Sequence, residues 1–422
     1  MREHPEEVRK NLAKRQDALK LKEFDEFLDY DKEWRELNVQ VERMRAERNE
    51  LSRKVNLLKK EGKDAHVLIA EAKKLPEKIA QSEERTKELR EKIDAFVARL
   101  PNVLHDSVPS GKDSSENKVE RKWGKIVEST FEMLNHGELI EQQNWGNFDD
   151  AAKVSGKGFY YLFGDLALLE MALAKFAIDV LVKKGYTFTQ VPLMLRREPY
   201  AGVTDLADFE NVMYKIENDD LYLIATSEHP MAAMFMNHVI EEQKLPIKLV
   251  GYSSCFRKEI GSHGIDEKGL FRVHQFNKVE QFVFCKPEDS WKIHEELIAN
   301  AEEIFQKLKL PYRIVNICTG DIGIVAAKKY DLEVWMPREK EYREAVSCSN
   351  CTEYQAVGLN LKYWKEGKRE YVHTLNSTAV ATGRALRAIL ENYQQKDGRV
   401  KIPTVLVKYM NGKKVIGHRK DP

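Results

Sequence analysis

Cys255-Phe256-Arg257-Lys258-Glu259-Ile260-Gly261-Ser262-His263-Gly264, followed from residue 269 by Gly269-Leu270-Phe271-Arg272-Val273-His274-Gln275-Phe276-Asn277-Lys278-Val279-Glu280-Gln281-Phe282, reads as a strand, a glycine-bearing loop and a returning strand. Side chains alternate faces along a strand, so Arg257 and Glu259 share one face, as do Phe276, Lys278 and Glu280. One surface of the hairpin can then present a guanidinium, carboxylates and an aromatic ring together. A guanidinium grips phosphate through its planar fork, and a ring can stack on a base. Ordinary cross-strand ion pairs would use the same residues, so the hairpin alone does not separate a site from a scaffold.

The segments on either side carry more. Downstream, Thr374-Leu375-Asn376-Ser377-Thr378-Ala379-Val380-Ala381-Thr382-Gly383-Arg384 is a polar strand end running into a helix with an arginine in its first turn. Upstream, 172–183 is an amphipathic helix, followed by Gly185-Tyr186 and a strand closing on Val191-Pro192. Strand-like runs at 282–284, 314–317 and 332–335 alternate with helical stretches at 166–184, 287–308 and 382–393. This pattern predicts an α+β body on a mainly antiparallel sheet flanked by helices. Neither G-x-x-x-x-G-K-[ST] nor G-x-G-x-x-G after a strand is present, so any nucleotide must be held by arginines.

The front of the chain is different in kind. Residues 32–100 are rich in Glu, Lys, Arg, Leu, Ala and Val, with a single Gly and a single Pro. Leu37, Val41, Met44, Arg48, Leu51, Val55 and Leu58 step by four and three, and a second register runs from Leu68 through Leu75, Ile79, Leu89, Ile93 and Phe96 to Leu100. Glu61-Gly62-Lys63-Asp64 separates them, which predicts an antiparallel two-helix coiled-coil arm. Pro76 predicts a kink or restart near Leu75. Its basic residues (Arg53, Lys54, Lys59, Lys60, Lys73, Lys74, Arg85, Arg90) read, taken alone, as a solvated face.

Of 422 residues, 69 are Lys or Arg and 68 Asp or Glu, a net charge of +1, so overall charge gives no argument for a nucleic-acid partner. No run of about 18 apolar residues occurs, and the first residues lack signal- or transit-peptide character; the expectation is a cytoplasmic protein with no membrane association. Five cysteines at 255, 285, 318, 348 and 351 suit reduced thiols better than disulfides. Cys348-x-x-Cys351 supplies two ligands where a structural zinc site needs four, so no zinc is expected.

Taken in order, these segments resemble motifs 1, 2 and 3 of the class II aminoacyl-tRNA synthetases and, in detail, the seryl-tRNA synthetases. Thr226-Ser227-Glu228 is similar to that family's Thr-x-Glu element. Phe271–Phe276 is similar to its motif 2 return strand, Glu344-Ala345-Val346-Ser347-Cys348-Ser349-Asn350-Cys351-Thr352 to its ATP and serine segment, and the hairpin to its tRNA-binding arm. The resemblance implies three parts: residues 1–102 as the helical tRNA-binding domain, 103–122 as a linker and 123–422 as the catalytic domain.

The resemblance further implies ATP-dependent activation of L-serine to seryl-adenylate, then transfer to tRNA(Ser), with tRNA(Sec) a second candidate acceptor. Arg257, Glu259 and Arg384 would be catalytic. ATP would be held by Arg257, Lys258, Glu259, Val273, Phe276, Glu344, Ala345, Val346, Ser347 and Arg384, with Glu344 and Ser347 holding Mg²⁺ through ATP. Serine would be read by Thr226, Ser227, Glu228, Arg257, Glu280, Asn376 and Thr378. The resemblance also implies a homodimer around 172–192. His229 and His274 lack metal spacing and read as structural. One departure stands out: Val357-Gly358 occupies the place where the family pattern usually has two arginines. Two other readings use the same segments. A paralogue serylating a carrier or small molecule would have little use for the arm, and a non-catalytic RNA-binding relative would have none for charges arranged for phosphoryl chemistry.

Overall fold

The structure is a computed structural model and describes residues 4–205, 210–259 and 268–418. The chain forms two compact units, one up to Val103 and one from Leu104.

The first unit is helical: α1 (Pro5–Ala13), α2 (Ala18–Lys60) and α3 (His66–Val97). Asp17 starts α2 by accepting the free N–H groups of Leu19 and Lys20. At 1.5 Å per residue its 43 residues span about 65 Å. Gly62, at φ +69°, lies in the turn between α2 and α3. The heptad pattern is realised: Val41, Val55, Leu75, Ile79, Leu89 and Ile93 are buried along the seam, and the Arg45–Glu83 and Arg85–Glu33 pairs tie one limb to the other. At the base Leu12, Phe24, Phe27, Ile93 and Phe96 form a separate core, with the Phe27 and Phe96 rings 4.8 Å apart. The expected restart at Pro76 is not seen, because α3 continues through it. Pro76 lies on the exposed side of the helix, where water can satisfy the carbonyl left without its donor.

The second unit is built on an eight-stranded sheet. Its strands are β1 (Lys118–Trp123), β2 (Thr187–Thr189), β3 (Ile247–Phe256), β4 (Gln275–Cys285), β5 (Tyr312–Asn316), β6 (Lys328–Met336), β7 (Glu341–Asn350) and β8 (His373–Ala381). Their spatial order is β1-β5-β6-β7-β8-β4-β3-β2, antiparallel throughout except for the parallel β2–β3 edge. One face packs on α4 (Gly164–Val182), α7 (Ser290–Lys307) and α9 (Thr382–Asn392) in the main core. The other face is shared. At one end Leu249, Phe282 and Phe284 pack against α5 (Arg197–Val203), α6 (Glu228–Ala233) and α8 (Tyr354–Gly358); the remainder opens as a polar cleft.

Strand alternation decides what enters that cleft. On β4, Val279, Val283 and Cys285 join the helix-side core, while Phe276, Lys278 and Glu280 line the cleft and Phe282 and Phe284 continue into the second core. The stretch expected as a linker is packed, at least from Leu104: Leu104 is buried with Val315, Ile317 and Ile322, and β1 is the edge strand paired to β5. All five cysteines are buried in this unit.

Candidate active site

The cleft has a volume of about 550 Å³ and gathers side chains from four adjoining strands, β6, β7, β8 and β4, and from the helices and loops around them. A larger groove of about 980 Å³ lies beside α4 and residues 401–415, but its walls are mostly apolar and aromatic groups and lysines, and its two carboxylates, Asp179 and Glu303, are each paired with a lysine. The clustered carboxylates and hydroxyls are in the smaller one. Register places them side by side. Glu280 on β4 stands opposite Thr378 on β8, Asn376 on β8 opposite Ser349 on β7, and Ser347 on β7 opposite Asp331 on β6.

Thr226, Glu228, Arg257, Phe276, Glu280, Glu344, Ala345, Ser347, Asn376, Thr378 and Arg384 all line this cleft. Glu259 and Val273 line a small adjoining recess with Arg257, Phe276 and Arg384. Three expected residues are elsewhere. Ser227 is fully buried, its side chain packed against Gly251 on β3. Val346 belongs to the helix-side core. Lys258 extends over the Tyr214 ring, 5.8 Å from its centroid. The chain also leaves β3 at Phe256, so Arg257 and Glu259 follow the strand rather than sharing a face of it; Glu259 is in the left-handed region at φ +48° and accepts from Arg272 Nε at 2.8 Å. The loop 260–267 of the hairpin lies outside the described residues.

Arg257 lies 5.3 Å above the Phe276 ring, and its Nε is buried without a hydrogen-bond partner among the described residues. An unsatisfied guanidinium donor of this kind suits an anion. Arg384 reaches Glu344 Oε1 at 3.2 Å and stands over Phe271 at 5.0 Å. Gly383 permits that approach, since a Cβ there would come within 2.8 Å of the Leu270 carbonyl oxygen.

The electrostatics divide the cleft in two. Burial, and then the neighbouring Glu280, push the Glu228 carboxyl up to about 7. Burial also raises Glu280, against the pull of Lys278, whose ammonium is 2.6 Å away. Across the cleft, burial acts to raise Glu344, but Arg384, Lys329 and Arg257 outweigh it and hold Glu344 below the ordinary carboxylate range. Burial pushes Asp331 up to about 7 even with the Lys329 ammonium beside it. His229 also lines the cleft; burial depresses it to about 3, and its Nδ1 lies 3.0 Å from the Tyr200 hydroxyl.

Among the lining or supporting residues without a sequence-based assignment are Lys278, Lys329, Asp331 and Gln355. Alternation already put Lys278 on the face of Phe276 and Glu280, and the same rule places Lys329 and Asp331 together on β6. Gln355 carries no sequence signal of its own, because it reaches Glu228 only through the tertiary fold.

Residues 211–393 match the family model described as the tRNA synthetase class II core domain (G, H, P, S and T), and residues 1–104 match the seryl-tRNA synthetase N-terminal domain. The chain is 59% identical over 416 residues to the serine--tRNA ligase of Methanocella arvoryzae, with 98% of each chain covered. The crystal structure of seryl-tRNA synthetase from Pyrococcus horikoshii complexed with ATP superposes with a TM-score of 0.92 at 47% identity, covering 99% of this chain and 98% of that one. The cytoplasmic serine-tRNA ligase from Naegleria fowleri in complex with AMP gives 0.88 at 34% identity, covering 99% and 96%. With its fold, its cleft and near-complete overlap at such identities all in agreement, the chain belongs to the seryl-tRNA synthetase family of class II aminoacyl-tRNA synthetases.

Proposed function

We propose that the cleft activates L-serine with ATP and passes the serine to the 3′ end of tRNA(Ser), with each residue acting as follows. The carboxylates of Glu228 and Glu280 receive the serine ammonium, and Asn376, Thr378 and Thr226 surround its hydroxyl. A site built to hydrogen-bond that hydroxyl rejects alanine, since the polar groups would be left unpaired. The serine carboxylate attacks the α-phosphorus of ATP, pyrophosphate leaves, and the negative charge that builds up meets Arg257 and Arg384, cations fixed before the reaction begins. Adenine rests on Phe276 with Glu259 at its amino group. The observation that carries this reading is the buried Nε of Arg257, without a hydrogen-bond partner among the described residues, on a side chain that lines both the cleft and the adjoining recess.

Glu344 and Ser347, hard oxygen donors on one strand and facing the same cleft, fit Mg²⁺ that also takes ATP phosphates and water. Among the described residues no group of three His, Cys, Asp or Glu is placed to hold a metal ion by itself. Bound there, Mg²⁺ would neutralise phosphate charge.

The arm is assigned to the tRNA. Arg85, Arg90 and Lys54 are engaged in ion pairs within the arm, whereas Arg53, Lys59, Lys60, Lys73 and Lys74, grouped toward its tip, have none among the described residues. Those five are the contacts proposed for the RNA backbone. A second copy of the chain is proposed to cover the α4–β2 surface, where Leu168, Met171, Val182 and Phe188 are exposed. No helix among the described residues is long and apolar enough to cross a membrane, and the proposed location is the cytoplasm.

Pyrophosphate exchange measured with each amino acid in turn tests the activity. Serine alone should support it, and Arg257→Ala should lower the rate by at least about a hundredfold while circular dichroism and melting stay as in the unsubstituted protein. Unchanged exchange in that variant would remove Arg257 from the phosphate site.

A further inference from the structure

We infer that Gln355 is the positioning residue for Glu228, pinning one carboxylate oxygen so that the other is presented to the amino group of the bound amino acid. The inference rests on the serine-site reading above and adds to it a residue behind the cleft wall.

Gln355 is the second residue of α8 and is fully buried. Its Nε2 donates to Glu228 Oε1 at 2.9 Å and to the Val203 carbonyl at 3.2 Å, and its Oε1 accepts from the Thr374 hydroxyl at 2.7 Å. These bonds fix the orientation of the carboxamide, since a flipped amide would set its oxygen against a carboxylate and a carbonyl. Asn376 Nδ2 donates to the same Glu228 oxygen at 3.1 Å. Oε1 is thus held twice, while Oε2 accepts no hydrogen bond from the described residues and Glu228 lines the cleft. Hydrogen bonds from buried amides to a charged acceptor are among the stronger ones.

The depth of Gln355 is set by how closely α8 approaches α5. A Cβ on Gly358 would lie 2.4 Å from the Gly202 carbonyl oxygen and 3.0 Å from its Cα, so the two helices meet backbone to backbone. The next residue, Val203, supplies the carbonyl that Gln355 bonds. This gives the Val357-Gly358 departure a physical reading. In this chain a Cβ at 358 would require the backbones of α8 and α5 to shift apart, while Val357 points outward and is 47% exposed.

The charged and titratable groups facing Glu228 are Glu280 and Lys278 on β4, Arg257 beyond β3, Tyr200 on α5 and Cys351 beyond β7. None of them changes when Gln355 loses its amide, so the effect of that loss is specific. Without the Gln355 donor, Glu228 keeps its proton to a higher pH, and serine binding needs the ionised form.

The test is steady-state pyrophosphate exchange of the full-length protein, with serine and ATP varied separately from pH 6 to 8.5, for Gln355→Met and for Thr374→Val. For Gln355→Met the serine KM at pH 7 should rise about ten- to a hundredfold. The ATP KM should stay within about twofold, and the serine KM should reach its minimum at a higher pH than in the unsubstituted protein. Thr374→Val, which leaves Gln355 in place but removes the group that orients it, should shift the serine KM in the same direction by about three- to tenfold; if Gln355→Met does not fold, this variant decides the matter. A serine KM that does not move, one that rises together with the ATP KM, or one that rises with an unshifted pH profile would overturn the inference. Absence of serine-dependent exchange in the unsubstituted protein would instead overturn the parent reading and this one with it.

Discussion

Glu228, with its carboxyl raised to about 7, holds a proton that the same residue in an unfolded chain would release near 4.5. The native state therefore binds more protons between those two values, and stability falls as pH rises through that window. Above about pH 7 the whole penalty is in place, of order 3 kcal/mol. Glu228→Gln removes it, so calorimetry should give a higher melting temperature for the variant at pH 8, with the difference vanishing near pH 4.5, while serine-dependent exchange is lost. A variant that melts lower at pH 8 would mean that Glu228 is stabilised by its neighbours rather than strained by burial. Residues of this kind were legible when their partners were close in sequence or one strand away: Phe276 and Glu280 follow from alternation, and Thr226 with Glu228 from the resemblance. Ser227 and Val346 were misplaced because a motif names consecutive residues, whereas a pleated strand or a helix start turns neighbours to opposite sides. Gln355 and Gly358 were illegible because their meaning depends on contacts with Glu228 and Gly202, more than 120 residues away.

At the level of elements, the arm was the most legible part, because a three-four apolar step has one physical solution. The sequence did not show how much of it belongs to the base. Ile93 and Phe96 pack with Leu12, Phe24 and Phe27, so excising the whole charged run 33–98 would destroy the core of the first unit. Excision of 41–86 behind a short flexible linker spares that core. Serine-dependent exchange should then persist within about twofold while tRNA charging falls by about a hundredfold or more, as expected when several phosphate contacts are lost together. Charging at near-normal efficiency would show that the arm does not carry the RNA. The opposite error occurred at β1, where the expected linker 103–122 took in all of Lys118–Trp123 but its last residue. That strand is exposed and strongly polar, and what makes it a strand is its pairing to β5 rather than its own side chains.

For the whole molecule, the net charge of +1 is an average over ion-paired arm residues, unpaired tip lysines and a cleft holding both signs. Balanced charge limits non-specific RNA affinity, so the contribution of charge to selectivity depends on where cations are grouped, as Arg53, Lys59, Lys60, Lys73 and Lys74 are near the arm's tip. Leu168 and Met171 are exposed on α4, an apolar pair suited to a second copy of the chain. Sedimentation should find a dimer, and Leu168→Asp with Met171→Asp should convert it to a monomer; a monomeric, fully active unsubstituted protein would contradict the pairing. The five thiols have a further use. All are buried in the second unit and none is in the first, and burial raises Cys285, Cys348 and Cys351 above the usual thiol range. A thiol-directed dye therefore reacts only when the sheet unit opens, and fraying of the arm leaves no mark on its kinetics. The cysteines make a built-in stopwatch for the breathing of one unit, readable in the native chain without an added label.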